Sequence, residues 1–258
     1  MNGSTTIHVT SLMIASSLVF VTLFFSYWQK LKLEKETIIS VVRAVIQLVA
    51  VGYVLNFVFG YKNPAFTTFL LLFMTFNASY NAAKRGRAIK RGLLISFLSI
   101  AVGTLLTLLI LILSGIIRYE PYQMIPIGGM IISNSMVALG LCYKQMASDF
   151  KNKREEIETK LALGADTLLS SKEIIRDSIK TGMLPTIDSA KTLGIVSLPG
   201  MMTGLILAGT SPMEAIKYQI MVTFMLLSTT AISSFISCYL SYRGFFNNRK
   251  QLVNRREN

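Results

Sequence analysis

DSAKTLGIVSLPGMMTGLILAGTSPMEAIKYQ, residues Asp188 to Gln219, is the stretch that decides the reading of this chain. It opens on a charged pair, Asp188 and Lys191, and then runs apolar for a membrane-spanning length, with Pro199 and Gly200 near its middle. A soluble core helix rarely tolerates that interruption. A transmembrane helix keeps it where neighbouring helices or a cavity re-satisfy the freed backbone groups, and small residues at Gly200, Gly204 and Ala208 let another helix approach closely. The segment predicts a kinked, packed span beside a functional interior.

The rest of the 258 residues carries the same signal. Hydrophobic residues make up 52% of the chain and the mean hydropathy is +0.53, more apolar side chain than a soluble domain hides. With about 20 apolar residues needed per helical span, the sequence predicts an all-α, polytopic transmembrane bundle of about seven spans. These fall near 8–28, 38–59, 65–83, 92–117, 122–143, 190–210 and 216–240. The first lacks a basic n-region and a small-residue cleavage site, so it reads as an uncleaved span. The whole chain is expected to be one transmembrane domain, residues 1–258, with a cytoplasmic loop at 144–187.

A net charge of +13 invites a nucleic-acid reading, but the positions of the cations argue against it. They cluster in alternate loops: Lys30, Lys32 and Lys35; Lys84, Arg85, Arg87, Lys90 and Arg91; Lys144 to Lys180; and Arg243, Arg249, Lys250, Arg255 and Arg256. The intervening loops, around Lys62, Arg118 with Glu120, and Glu214, are short and nearly neutral. This positive-inside pattern places the N-terminus outside and the C-terminus in the cytoplasm of a multi-pass inner-membrane protein. The lipid bilayer, and no nucleic acid, is the expected partner. Cys142 and Cys238 have no partner motif and read as reduced thiols, and the single histidine, His8, carries no chemistry.

The loop at 144–187 balances acidic and basic residues and spaces its apolar ones helically. DFKNKREEIETKLAL stops at Gly164, and a second short helix runs from Asp166, a good N-cap, to Met183, with Leu168, Leu169, Ile175 and Ile179 on one side. Leu163, Gly164 and Ala165 form an exposed elbow between them. It is either a solvated or membrane-surface connector or a docking element for a cytoplasmic partner.

Polar groups within spans are costly and face a bundle interior or a water-filled path. Arg43 and Gln47 share a face of the second span; Arg43 either snorkels or lines an interior. Asn77 and Asn81 make a stripe on the third, for helix-to-helix bonding or a path. In GGMIISNSM the run Ser133, Asn134, Ser135 lies between Met130 and Met136. Its oxygens suit a permeation path, and thioethers from Met130, Met136, Met201 and Met202 suit a soft cation; methionine is equally ordinary core filler. Asp188 and Lys191 permit an ion pair three residues apart, either anchoring a helix end or joining Arg176 and Asp177 in a cytoplasmic vestibule. Glu214 is a lone carboxylate in an outer loop. No nucleophile and base converge and no H-E-x-x-H site is present, so the chain does not read as an enzyme.

Two resemblances sharpen this reading. The interval from Glu158 to Gly164 resembles the opening of the EAA loop of ABC-transporter permeases, with Ile174 at its isoleucine; Thr159 and Lys160 replace the alanines, and Arg176 and Asp177 replace the usual Leu and Pro. More broadly, RAVIQLVAVGYVL (Arg43–Leu55), FNASYNAAKR (Phe76–Arg85), IPIGGMIISNSMVALGLCY (Ile125–Tyr143), KLALGA (Lys160–Ala165), IRDSIKTGMLPTIDSAKTLGIVSLPGMMTGLILAG (Ile175–Gly209) and AIKYQIMVTFMLLST (Ala215–Thr229) resemble the FetB-type iron-export ABC permeases, to which plant aluminium-tolerance permeases are similar. Ser133 departs from the glycine usual at its position in that family. The resemblance implies the membrane subunit of an exporter that works as a dimer with a separate ATPase and moves iron, or another metal ion, out of the cytoplasm. It implies a coupling element at Glu158, Leu161, Leu163, Gly164 and Ala165. The chain itself carries no G-x-x-x-x-G-K-[ST] loop, so ATP and Mg belong to the partner, and this subunit is expected to bind no cofactor. The reading from another class is a non-transporting scaffold or sensor that recruits a cytoplasmic protein through the same loop.

Overall fold

The computed structural model describes residues 9–61, 63–86, 89 and 91–253. His8, Lys62, Arg87, Lys90, Arg255 and Arg256 lie outside the described residues. The described chain is helical and divides after Tyr61 into two compact units.

The first unit contains α1 (Val9–Trp28) and α2 (Glu34–Tyr61). The turn between them is pinned by Ser26, whose hydroxyl donates to Glu34 Oε1 at 2.8 Å and accepts the Leu33 N–H at 3.3 Å. Arg43 and Gln47 are exposed on α2.

The second unit is a bundle of α3 (Pro64–Arg85), α4 (Gly92–Leu113), α5 (Pro121–Asn152), α6 (Arg154–Ala162), α7 (Thr167–Thr192), α8 (Gly200–Leu207) and α9 (Pro212–Ser241), closed by a 3-10 turn at Tyr242–Phe245. Local chemistry sets the boundaries. Asn63 and Ser211 cap α3 and α9, each ahead of a proline whose missing N–H costs nothing in a first turn. By length and composition α2, α4, α5 and α9 suit a membrane crossing, and Ile14–Trp28 is a shorter apolar helix.

Helices α4, α5 and α9 meet at their middle through a layer of small polar residues. Ser233 of α9 donates to the Ser99 carbonyl at 3.1 Å and its hydroxyl pairs with that of Ser135 at 3.3 Å, and the Thr107 and Thr229 hydroxyls pair at 2.7 Å, all buried. Hydroxyls satisfied across helices allow close backbone approach where apolar side chains gain nothing over lipid. Apolar clusters lie on either side of this layer: Leu139, Tyr143, Met146, Phe150 and Ile175 toward the α6 end, and Met124, Ile131, Val222 and Met225 toward the other.

The segment from Asp188 to Gln219 departs from expectation. It is not a bent span. Helix α7 is 26 residues long and absorbs Pro185, so the second loop helix continues to Thr192 instead of stopping near Met183. Residues 193–199 then leave the helix, Pro199 caps the 8-residue α8, and Ser211 starts α9. Gly194 takes φ +80°, and a bridge links Leu193 to Ser197. The inward stripe of α7 is Ser170, Ser171, Ile174, Ile175, Ser178 and Gly182, while Leu168 and Leu169 face outward.

Candidate functional site

A cavity of about 340 Å³ opens where α7, the unwound segment and α8 meet α5 and α9. Helix α5 contributes Met130, Asn134 and Ala138, α7 contributes Gly182, Thr186 and Ser189, and Pro199, Gly200 and Met201 close one side. Of the residues singled out in the sequence, the cavity therefore gathers Met130, Asn134, Met201, Pro199 and Gly200. From α9 come Gln219 and Thr223, which the sequence reading missed. Their signal was weak: one amide and one hydroxyl in an apolar run. The Gln219 Oε1 is buried without a hydrogen-bond partner among the described residues, a cost of about 1–3 kcal/mol for an orphaned acceptor.

The polar run on α5 does not act as one patch. Consecutive helical residues sit about 100° apart, so the three side chains diverge. Asn134 faces the cavity and donates to the Met130 carbonyl at 2.8 Å; Ser133 is exposed and donates to the same carbonyl at 3.2 Å; Ser135 is buried against Ser233. Met136 packs on the core near Tyr143. Met202, next to Met201, is half-buried and outside the cavity lining. Asn77 is exposed and Asn81 half-buried on α3, where the Asn81 amide donates to the Asn77 side-chain oxygen at 2.8 Å. Gln47 belongs to the first unit. No atom lies within 4 Å of where a side chain on Gly200 or Gly204 would begin, so their small faces receive no other described helix.

Asp188 and Lys191 do pair, at 3.0 Å, but not beside the loop. They occupy the last turns of α7, about 32 Å along the helix from Thr167 at 1.5 Å per residue. Asp177 instead pairs with Lys153 at 3.5 Å and Lys180 at 3.6 Å, about 16 Å short of Asp188 along the helix. Glu214 pairs with Lys217 at 2.6 Å. Cys142 and Cys238 are free and buried. Among the described residues no three His, Cys, Asp or Glu side chains gather as a metal site.

The elbow has a defined shape. Helix α6 ends at Ala162, Gly164 adopts φ +91°, and Asp166 caps α7 by accepting the Leu169 N–H at 2.7 Å. Leu163 is 83% exposed, an apolar tip left uncovered by the described residues. Glu158 is held by Arg154 at 2.8 Å, and Lys160 bridges Glu156 and Glu173. Hydrogen bonding from Lys160 lowers the Glu156 pKa, and the reciprocal bond raises that of Lys160. Behind the elbow, a cleft of about 710 Å³ separates Glu158, Leu161, Gly164 and Ala165 from Arg249 and Lys250 of the C-terminal segment. That segment is a small hairpin. Phe246 bridges Leu252, and the Asn247 side chain accepts the N–H groups of Arg249 and Gln251, each at 2.9 Å.

Residues 9–246 match the model of the uncharacterised protein family UPF0014. The chain belongs to that family. It is 52% identical over 243 residues to the Escherichia coli K12 "Probable iron export permease protein FetB", with 94% of each chain covered. It is 40% identical to the Arabidopsis thaliana "Protein ALUMINUM SENSITIVE 3", covering 92% of this chain and 88% of that one. The "UPF0014 membrane protein YjkA" of Bacillus subtilis is 36% identical, covering 94% and 97%. No solved structure matches at a significant level. The resemblance read from the six sequence blocks thus holds over nearly the whole length, and the chain is a multi-pass, helical membrane protein.

Proposed function

We propose that this chain is the membrane permease subunit of an ABC exporter, with iron or another metal ion as cargo and a separate ATPase supplying energy and binding ATP and Mg. The observation that carries the reading is the continuity of α7: the exposed elbow precedes its first turn, and its last three turns hold Thr186 and Ser189 in the cavity wall. Displacement of the elbow by a partner is displacement of that wall. An unbroken helix transmits a push along its axis, and the unwound 193–199 segment lets α7 move without dragging α8.

The name of the Escherichia coli relative supports iron as cargo. The shared end of α6, the start of α7 and the C-terminal hairpin supports an orientation with both the elbow and the C-terminus in the cytoplasm, as the positive-inside pattern requires. The active unit in this reading is a dimer of two such chains. The subunit's work is binding and gating, without bond-making chemistry.

The test begins with a neighbouring gene for a lone ATPase bearing a Walker A loop. Co-purified, the pair hydrolyses ATP faster than the ATPase alone, and Gly164→Trp abolishes that stimulation while leaving the permease folded. Unchanged stimulation would remove the elbow as the dock. Cells overproducing both subunits hold less iron than controls; equal iron content argues against iron as cargo.

A further inference from the structure

Glu120 and Lys144 bracket a stretch of α5 without charged residues, about 35 Å long at 1.5 Å per residue, close to the thickness of a bilayer's hydrocarbon core. Met130, Asn134 and Ala138 occupy the middle of it, about 14 to 26 Å from its first residue. Helix α7 runs alongside. Its Gly182 is seated on α5, so closely that an added Cβ would lie 2.9 Å from the Ala138 carbonyl oxygen. About two turns on, Ser189 and Ala190 share the cavity with Met130 and Asn134. Asp188 and Lys191 flank those two residues. The ion pair therefore sits at the depth of mid-membrane, not at a surface, and yet its side chains are 59% and 65% exposed.

Charged groups at that depth cost several kcal/mol unless they face water or another protein. The other acidic residues after position 62 lie at 120, 149–177, 214 and 257 in the sequence, which leaves Asp188 as the carboxylate level with the cavity. We propose that Asp188 and Lys191 line the translocation path, Asp188 receiving the cationic cargo and Lys191 serving as the counter-ion that the cargo displaces. This deepens the exporter reading and rests on it. A lone carboxylate at that depth would be an uncompensated charge whenever no cargo is bound. With the ammonium 3.0 Å away, the empty site is neutral and the cargo must compete to bind, which favours release on the far side. Thr186 and Ser189 line the cavity itself, whereas Asp188 and Lys191 lie outside its lining, on the other side of α7 at the same depth.

The test uses the full-length chain with its ATPase in proteoliposomes and ferrous iron as the probe. Asp188→Asn should lower ATP-dependent iron transport at least tenfold while the chain still co-purifies with its ATPase, and Asp188→Glu should keep a third or more. Iron transport by Asp188→Asn within twofold of wild type overturns the proposal. A second measurement covers a variant that fails to assemble. Lys191→Cys should react with a membrane-impermeant thiol reagent, at rates differing at least fivefold between the nucleotide-free and ATP-trapped states. Equal rates in the two states, as for a residue anchored at a membrane surface, or no reaction in either, overturn it. If wild type stimulates the ATPase but moves no iron, the iron reading fails, and the Lys191→Cys rates still decide whether the pair faces the path.

Discussion

The rings of Phe150 and Phe245 stack face to face, with centroids 4.1 Å apart and planes 7° from parallel. Phe150 ends the long α5, and Phe245 begins the C-terminal hairpin, so this contact fastens the hairpin beside the elbow. Phe246 adds an edge contact at 5.9 Å, and all three rings are buried. Truncating such a ring costs about 3–5 kcal/mol. Phe150→Ala is expected to lower thermal stability in detergent and to open the chain to protease between Phe246 and Val253. Phe150→Leu should lose less, and a cleavage pattern unchanged from wild type would show that the stack does not hold the hairpin.

Gly182 is where α7 meets α5 and α9. A methyl group there would collide with the Cys142 sulfur and come within 2.9 Å of the Ala138 carbonyl oxygen and 3.2 Å of the Ser234 hydroxyl. Backbone cannot give way as a flexible side-chain tip can. Gly182→Ala is expected to destabilise the bundle by about 1–3 kcal/mol, the usual cost of overpacking. Adding Cys142→Ala should restore part of the loss, because it frees the sulfur's space but not the carbonyl's. Thermal melts of the single and double variants read both effects.

Much of this fold was legible in the sequence where apolar length and capping agreed, as they do for α3, with Asn63 and Pro64, and α9, with Ser211 and Pro212. Helix α7 was legible only in its first part, from the Asp166 cap to Met183, and not in its continuation to Thr192. It faces inward with Ser170, Ser171, Ser178 and Gly182, small polar residues that do not mark a packed face by hydropathy, although serine packs helices in a membrane bundle. The reverse error befell 193–208. Ile195, Val196, Leu198 and Leu207 are 88%, 78%, 62% and 82% exposed, so their apolar character does not mark one continuous buried helix. Met130, Asn134 and Met201 were visible as types out of place. Gln219 and Asp188 were not placed correctly, because their depth depends on where α7 and α9 lie against α5.

Gly164 offers a clean separation of strain from contact. Its φ of +91° is unfavourable for any residue with a Cβ, yet nothing lies within 4 Å of where that atom would be. Gly164→Ala should therefore act through the backbone alone, costing about 1–2 kcal/mol at the elbow. The expected result is a normal bundle, judged by melting temperature, with reduced ATPase stimulation. Full stimulation would show that the left-handed turn is not what the partner requires.

The Glu156–Lys160 pair gives the elbow a pH limit on its acid side. Glu156 titrates below its ordinary range because Lys160 hydrogen-bonds to its carboxylate. A lowered folded-state pKa means stabilisation that is complete above the unfolded value, about 4.3, and lost as pH falls through the folded one. The Lys160 pKa is raised, so its share is present below about 10.4 and lost only in stronger alkali. Amide exchange in α6 is expected to be flat from about pH 6 to 9, after correction for intrinsic rates, and to rise below about pH 4. Glu156→Gln should remove that acid step. Because both groups are largely solvated, the step is expected to be small and to shrink further in high salt.

Gln219 distinguishes a structural from a functional reading of the cavity. Its Oε1 is buried with no described partner, so in the empty protein the amide is a liability. Leucine is close in size and carries no polar atom. If Gln219 is there for cargo, Gln219→Leu should raise the melting temperature of the isolated permease by a few degrees and lower iron transport several-fold. Asn134→Leu differs in one respect: the Asn134 amide already bonds to the Met130 carbonyl, so its loss should leave stability nearly unchanged while transport falls. A Gln219→Leu protein that melts lower and transports normally would reverse the argument, because the orphaned oxygen would then be bonded in the working assembly to a group that holds the fold.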